Sequence, residues 1–221
     1  MRSPADEPLP QGAKHDLIDR LKDSLRREAI ALREGMPPDV RAAWSEALRE
    51  RITTLRCWKD ARTVGLFAAI RGEVDLLPLV QTAVARGKRA VFPRVDRAGR
   101  TLVFFGVHSA GDLVPGAFGV PEPPADPART VAAADIDLLL VPGVAFDARG
   151  GRLGFGGGFY DRLLGAAGRA ADAGVLALGA VFERQILPEV PMAPSDRRVD
   201  ALVTESRSLW CDGRDSRDRI L

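Results

Sequence analysis

The chain has 221 residues, enough for one large domain with a substantial core. Hydrophobic residues make up 46% and charged residues 28%, and the formal net charge of +2 is too small to argue for nucleic acid or a membrane surface. No apolar run approaches the roughly 20 residues that span a bilayer, the first ten residues lack the basic-then-apolar order of a secretory signal, and two cysteines in unlike contexts, Cys57 and Cys211, predict a reduced, cytoplasmic protein.

Taken in chain order, residues 1–13 carry Pro4, Pro8, Pro10 and Gly12 and predict a disordered tail. Residues 14–34 read as a helix with Leu17, Leu21, Leu25 and Ala29 on its apolar face, ended by Gly35. A second helix follows Pro37-Pro38, with Val40, Trp44, Leu48, Ile52 and Leu55 as its stripe. Thr63 to Ala69 predicts a buried strand. Asp75 can cap a helix that runs to about Arg86 and ends at Gly87. Arg89–Val95 and Thr101–Val107 predict a hairpin about Asp96-Arg97-Ala98-Gly99. Residues 108–127 read as a long loop. The apolar strand Leu138–Val141 precedes a glycine cluster and a short helix, Phe159 to Leu164. Strands at Val175–Phe182 and Val199–Thr204 follow, then a polar tail over 206–221. Strands alternate with helices, and several strands are continuous apolar runs. That order predicts an α/β fold, with a mostly parallel sheet covered on both faces in one domain over 14–205.

The glycine cluster is the most informative segment. Six of the nine residues from Gly150 to Gly158 are glycine, each costing roughly 0.5–1 kcal/mol against alanine in regular structure. A turn needs one or two. Strand, glycine loop and helix together offer bare N–H groups and a helix N-terminus to an anion, at the carboxyl end of a central strand where open α/β sheets bind ligands. The cluster is neither a P-loop nor a Rossmann fingerprint. Its alternative reading is a tight turn packed closely on the sheet.

Arg152 lies inside the cluster and can close on phosphate oxygens in bidentate fashion, or be an exposed loop charge. Asp161, in the first turn of the helix, suits the macrodipole; beside a phosphate it calls for a cation between them, with Asp196 or Asp200 as a second carboxylate. Lys22 and Arg26 share one face of the first helix, either solvated or turned to an anion. Glu73 can accept paired N–H bonds from a planar heterocycle, or be a surface acid. His15 and His108 sit in polar settings and receive no role. No Ser/His/Asp or Cys/His arrangement supports a covalent nucleophile.

Together these segments resemble the 5-formyltetrahydrofolate cyclo-ligase family. The resemblance is carried by Val141-Pro142-Gly143-Val144-Ala145-Phe146-Asp147 and by Gly151-Arg152-Leu153-Gly154-Phe155-Gly156-Gly157-Gly158-Phe159-Tyr160-Asp161-Arg162. Lys22-x-x-Leu25-Arg26, Arg71-Gly72-Glu73-Val74-Asp75, Phe92-Pro93-Arg94-Val95, Val120-Pro121-Glu122-Pro123 and Asp196-x-x-Val199-Asp200 add support in family order over roughly residues 20–205. The resemblance implies a three-layer α/β/α domain and a cytoplasmic monomer. It also implies ATP- and Mg²⁺-dependent closure of 5-formyltetrahydrofolate to 5,10-methenyltetrahydrofolate, with no nucleic acid or membrane partner. It implies that ATP is held by Lys22, Arg26, Gly151, Arg152, Leu153, Gly154, Phe155, Gly156, Gly157, Gly158, Phe159 and Tyr160, with Arg152 and Lys22 acting on the transferred phosphoryl group. The folate would meet Ala68, Glu73 and residues 154–158, and Mg²⁺ would meet Asp161 and Asp196. Two positions depart from the family's usual residues: Phe155 stands where Tyr is common, and Ser195 where His is common. They leave open a divergent member acting on another formylated or pterin-like substrate. A non-catalytic nucleotide- or folate-binding module is the reading from a different class.

Overall fold

The structure, a computed structural model, describes residues 11–167 and 175–211. In chain order the elements are α1 (Gln11–Glu34), α2 (Pro38–Thr54), α3 (Arg56–Asp60), β1 (Thr63–Gly65), α4 (Pro78–Ala85), β2 (Arg89–Asp96) and β3 (Thr101–Val107). Two short strands, β4 (Val114–Pro115) and β5 (Pro121–Glu122), lie within the predicted long loop and pair with each other. Then come β6 (Thr130–Val131), β7 (Leu138–Val141), β8 (Ala145–Asp147), β9 (Arg152–Leu153), α5 (Phe159–Ala167), β10 (Leu176–Ala180), β11 (Ile186–Leu187), β12 (Ala201–Val203) and β13 (Ser208–Trp210).

Eight strands form one sheet in the order β13-β12-β10-β7-β1-β2-β3-β6. The run from β12 to β2 is parallel, and β13, β3 and β6 join antiparallel at the two sides. Central strand β7 is buried along its whole length and alternates its side chains. Leu138 and Leu140 face the cluster built on α2, α3 and α4, whereas Leu139 and Val141 face the one containing Leu163 of α5. The sheet is thus covered on both faces, as the continuous apolar runs predict. On the first face Leu48, Ile52 and Leu55 are buried, and Trp44 meets Phe182 with ring centroids 5.9 Å apart. The hairpin pairs Asp96 with Thr101, and Asp75 accepts the Leu77 N–H (3.0 Å) just before α4.

Several boundaries move. The first helix starts at Gln11, inside the predicted tail; residues 1–10 lie outside the described residues. Residues 208–210, assigned to a polar tail, pair with β12 as an edge strand, and residues 212–221 lie outside the described residues. The glycine cluster does not follow β7 directly. A second, three-stranded sheet, β11-β8-β9, intervenes, and Arg152 and Leu153 form one of its strands. These strands are two or three residues long, too short for any periodicity to reveal.

The largest correction concerns α1. Only part of its expected apolar face is buried: Leu17 and Leu21 are 48% and 46% exposed, whereas Leu25 is half-buried and Ala29 buried. Beside Ala29 the helix turns Lys22 and Arg33 inward, both of them buried. Ala29 packs with Val144, Ala145, Leu153 and Val190 of the small sheet and its surroundings. A helix normally buries its apolar stripe; here the charged stripe goes in because it meets partners far along the chain.

Candidate active site

Those partners line a cavity of about 890 Å³ at the carboxyl end of the central strands. Its wall includes Lys22 and Arg26 of α1, Ala68 and Glu73 from the segment after β1, residues 152–162, and Ser195 and Asp196. Among the predicted site residues only Gly151 stays behind the wall, where it serves the loop's shape. Asp200 does not reach the cavity, and its carboxylate accepts the Ala177 N–H (2.8 Å).

The cavity wall carries paired charges. Lys22 is buried and its Nζ donates to Asp196 Oδ2 at 2.5 Å. The same oxygen accepts the Ala193 N–H at 2.7 Å. Arg152 is buried as well; its Nη2 donates to Asp161 Oδ2 at 2.8 Å, and Asp161 Oδ1 accepts the Arg197 N–H at 3.0 Å. The Arg197 bond joins the two pairs, since Arg197 directly follows Asp196. Arg26 donates from Nε to the Gly154 carbonyl (2.8 Å), so α1 is tied to the glycine loop. The solvated-face reading of Lys22 and Arg26 and the exposed-loop reading of Arg152 are both excluded.

The glycine loop is shaped from below by Asp147, which is fully buried. Its Oδ1 accepts the Arg149 and Gly151 N–H groups (2.9 Å each) and its Oδ2 accepts that of Val190 (2.8 Å). A Cβ on Gly151 would stand 2.5 Å from Asp147 Oδ2, so this position has no room for any other residue. Gly156 and Gly158 take φ of +97° and +65°, as the cluster's composition predicts, and the chain then enters α5 at Phe159.

Glu73 is not a surface acid. It is buried, its Oε2 accepts the Ile70 N–H (3.2 Å), and burial raises its carboxyl from 4.5 to about 7 despite the opposing pull of Arg33. Lys22 and Arg33 are eleven residues apart on α1, which places the Lys22–Asp196 pair and the Arg33–Glu73 pair about 16 Å apart along the helix. The cavity therefore has two polar stations on one helical track.

A sequence profile of the 5-formyltetrahydrofolate cyclo-ligase family matches residues 19–205. The chain belongs to that family. It is 36% identical over 195 residues to the 5-formyltetrahydrofolate cyclo-ligase of Mycolicibacterium smegmatis, covering 86% of this chain and 96% of that one. The Escherichia coli K12 cyclo-ligase is 30% identical over 179 residues, covering 80% and 96%. Among solved structures, the Aquifex aeolicus 5,10-methenyltetrahydrofolate synthetase aligns with a TM-score of 0.74 at 36% identity, covering 89% of this chain and 95% of that one. A Mycoplasma pneumoniae 5,10-methenyltetrahydrofolate synthetase shares the fold, with a TM-score of 0.66 at 21% identity.

Both of the unusual positions lie at the cavity. Phe155 is 44% exposed at the cavity and its ring lies 5.8 Å from Arg33 Cζ, so the missing hydroxyl concerns the cavity surface. Ser195 also lines the cavity, directly before Asp196. Sequence reasoning missed Arg33 and Asp147 as parts of the site. Arg33 was detectable, because Lys22, Arg26, Ala29 and Arg33 follow the 3.6-residue period of one helix face. Asp147 carried a local signal, an Asp ahead of a glycine turn whose Arg149 and Gly151 N–H groups it accepts; its Val190 partner, 43 residues away, was hidden.

Proposed function

We propose that this chain closes 5-formyltetrahydrofolate to 5,10-methenyltetrahydrofolate with conversion of ATP to ADP and phosphate. The observation that carries the reading is the single cavity in which a glycine loop and three cations stand at one station and a buried acid at the other. The family matched by the chain is ATP-dependent, and reduced folate and ATP are its small-molecule substrates.

The formyl oxygen is a poor leaving group. In the proposed reaction that oxygen attacks the γ-phosphorus, the bond to the β-phosphate oxygen breaks, and ADP leaves. N10 then attacks the activated formyl carbon, loses its proton, and phosphate departs with the former formyl oxygen. Catalysis of this kind needs in-line positioning and neutralised charge rather than a protein nucleophile. Lys22, Arg26 and Arg152 supply positive charge, the amides of residues 154–158 supply donors, and Phe159 and Tyr160 begin the helix beside them. At the other station Glu73 accepts N–H donors of the pterin, with Ala68 and residues 154–158 forming the adjoining wall.

Mg²⁺ fits Asp161 and Asp196. Asp196 Oδ2 accepts from both Lys22 and the Ala193 N–H, and among the described residues no group of three or more His, Cys, Asp or Glu is gathered for a metal. Two carboxylates completed by phosphate oxygens are a usual Mg²⁺ donor set. When bound, the ion neutralises phosphate charge and polarises the transferred group. Lys22 pairs with Asp196 and Arg152 with Asp161, and on the proposed reading both cations turn to phosphate oxygens when ATP binds.

Among the described residues no helix is long and apolar enough to cross a membrane. We take the enzyme to be a cytoplasmic monomer without nucleic-acid or membrane partners. The test is near-ultraviolet absorbance with 5-formyltetrahydrofolate, ATP and Mg²⁺. Growth of the methenyl product's band, lost when ATP or Mg²⁺ is omitted, is expected. Protein that binds ATP but gives no band would overturn the assignment.

A further inference from the structure

Arg33 is fully buried and does not line the cavity, whereas Arg71, Glu73, Gly143 and Phe155 do. It stands directly behind that part of the wall. Its Nε donates to the Arg71 carbonyl at 2.9 Å and its Nη1 to the Gly143 carbonyl at 3.3 Å. The same Nη1 lies 3.7 Å from Glu73 Oε1, close enough for an ion pair but too long for a hydrogen bond. Two buried atoms consequently have no hydrogen-bond partner among the described residues: Arg33 Nη2 and Glu73 Oε1.

Buried polar atoms are normally satisfied, and exceptions call for a reason. Here the pair gives Glu73 charge compensation without occupying Oε1. A lysine or arginine hydrogen-bonded to that oxygen would have used the acceptor a ligand needs. We propose that Arg33 is a positioning residue for the folate station, opposing the cost of ionising the buried Glu73 carboxylate and aiming it so that its unpaired oxygen accepts from the N–H donors of the pterin. This inference rests on the reading of Glu73 as the folate-contacting acid.

The groups that face Glu73 are few. Arg33 comes from α1, the Ile70 N–H from its own segment, and Tyr160 from α5, whose hydroxyl is raised above its ordinary range first by burial and then by the Glu73 charge. Arg71 and Glu34 act on Arg33 rather than on Glu73, and they pair with each other at 2.8 Å. Arg33 is thus the cation that opposes the burial of Glu73. Without it the carboxyl holds its proton through neutral pH and loses an acceptor.

The experiment is carboxyl ¹³C NMR of glutamate-labelled protein against pH, for the parent, R33Q and R33K, with E73Q identifying the signal. It needs no folate. The parent's Glu73 is expected to titrate near 7, R33Q about one unit or more higher, and R33K within about half a unit of the parent. In parallel, R33Q should bind 5-formyltetrahydrofolate at least about fivefold more weakly at pH 7, regain affinity as pH rises, and keep its ATP affinity. An R33Q midpoint equal to the parent's overturns the inference, and so does an R33K midpoint displaced as far as R33Q's. Where R33Q does not fold, R33K carries the test alone: a shift of a full unit overturns the role given to the charge. An E73Q protein that binds the folate like the parent overturns the reading of Glu73, and the positioning role with it, even where the titration moves.

Discussion

Two regions of this molecule are built on opposite principles. The layer of α2, α3 and α4 against the sheet is mainly apolar, with Leu48, Ile52, Trp58, Leu79 and Val80 buried at 2% exposure or less and Ser45 the buried polar residue of α2. The layer that carries α1 and the glycine loop buries charges: Lys22 with Asp196, Arg33 with Glu73, Arg152 with Asp161. Apolar burial of the first kind supplies about 25 cal/mol per Å² and is non-directional. Ion pairs of the second kind offset their own desolvation only when well placed and are weak contributors to stability. The first layer therefore stabilises the fold, whereas the buried charges of the second contribute little to it.

Substitutions can separate the two. Leu140→Ala, in the middle of the central strand, should cost about 2–5 kcal/mol of stability by urea unfolding and leave turnover per folded molecule near that of the parent. Arg152→Ala should lose about 100-fold or more in turnover with a smaller change in unfolding midpoint; a matched loss of stability without loss of rate would blur the division. Asp161→Asn should reduce turnover at least about tenfold, about 1.4 kcal/mol, and raise the Mg²⁺ concentration needed for half-maximal rate. Normal rates at limiting Mg²⁺ would remove Asp161 from the metal site.

Glu73 gives a subtler contrast through pH. Its carboxyl is raised from 4.5 to about 7, so between those values the folded protein keeps a proton that the unfolded chain has released. Stability from this group therefore falls as pH rises through that window. Glu73→Gln should remove the fall, seen as a smaller difference between denaturant midpoints at pH 5 and pH 7.5 than in the parent. The same variant should bind folate more weakly and ATP normally. At the small end, Leu21→Ser on the outer face of α1 should change stability by no more than about 0.5 kcal/mol.

The apolar layer was largely legible in the sequence because its signals are local. Val40, Trp44, Leu48, Ile52 and Leu55 announce a helix and its buried face together, and the run from Leu138 to Val141 announces a strand covered on both sides. The charged layer was legible in its residues but not in its geometry. Lys22 and Arg26 share a face by spacing, yet Leu17, Leu21 and Leu25 suggest that another face turns inward. The deciding partners are Asp196 and the Gly154 carbonyl, 174 and 128 residues away, and no local pattern carries them. The same holds for Arg152, whose burial depends on a two-residue strand and on Asp161 nine residues later. Family resemblance supplied the roles that spacing could not.

The central claim is that one cavity holds both substrates at once, with phosphates at the Lys22–Arg152 station and the pterin at Glu73. Calorimetric titration of 5-formyltetrahydrofolate into protein saturated with Mg²⁺ and a non-hydrolysable ATP analogue tests it most directly. The account predicts one folate bound per chain with the nucleotide still in place, and loss of that binding in Glu73→Gln. Folate that binds only by displacing the nucleotide would contradict it.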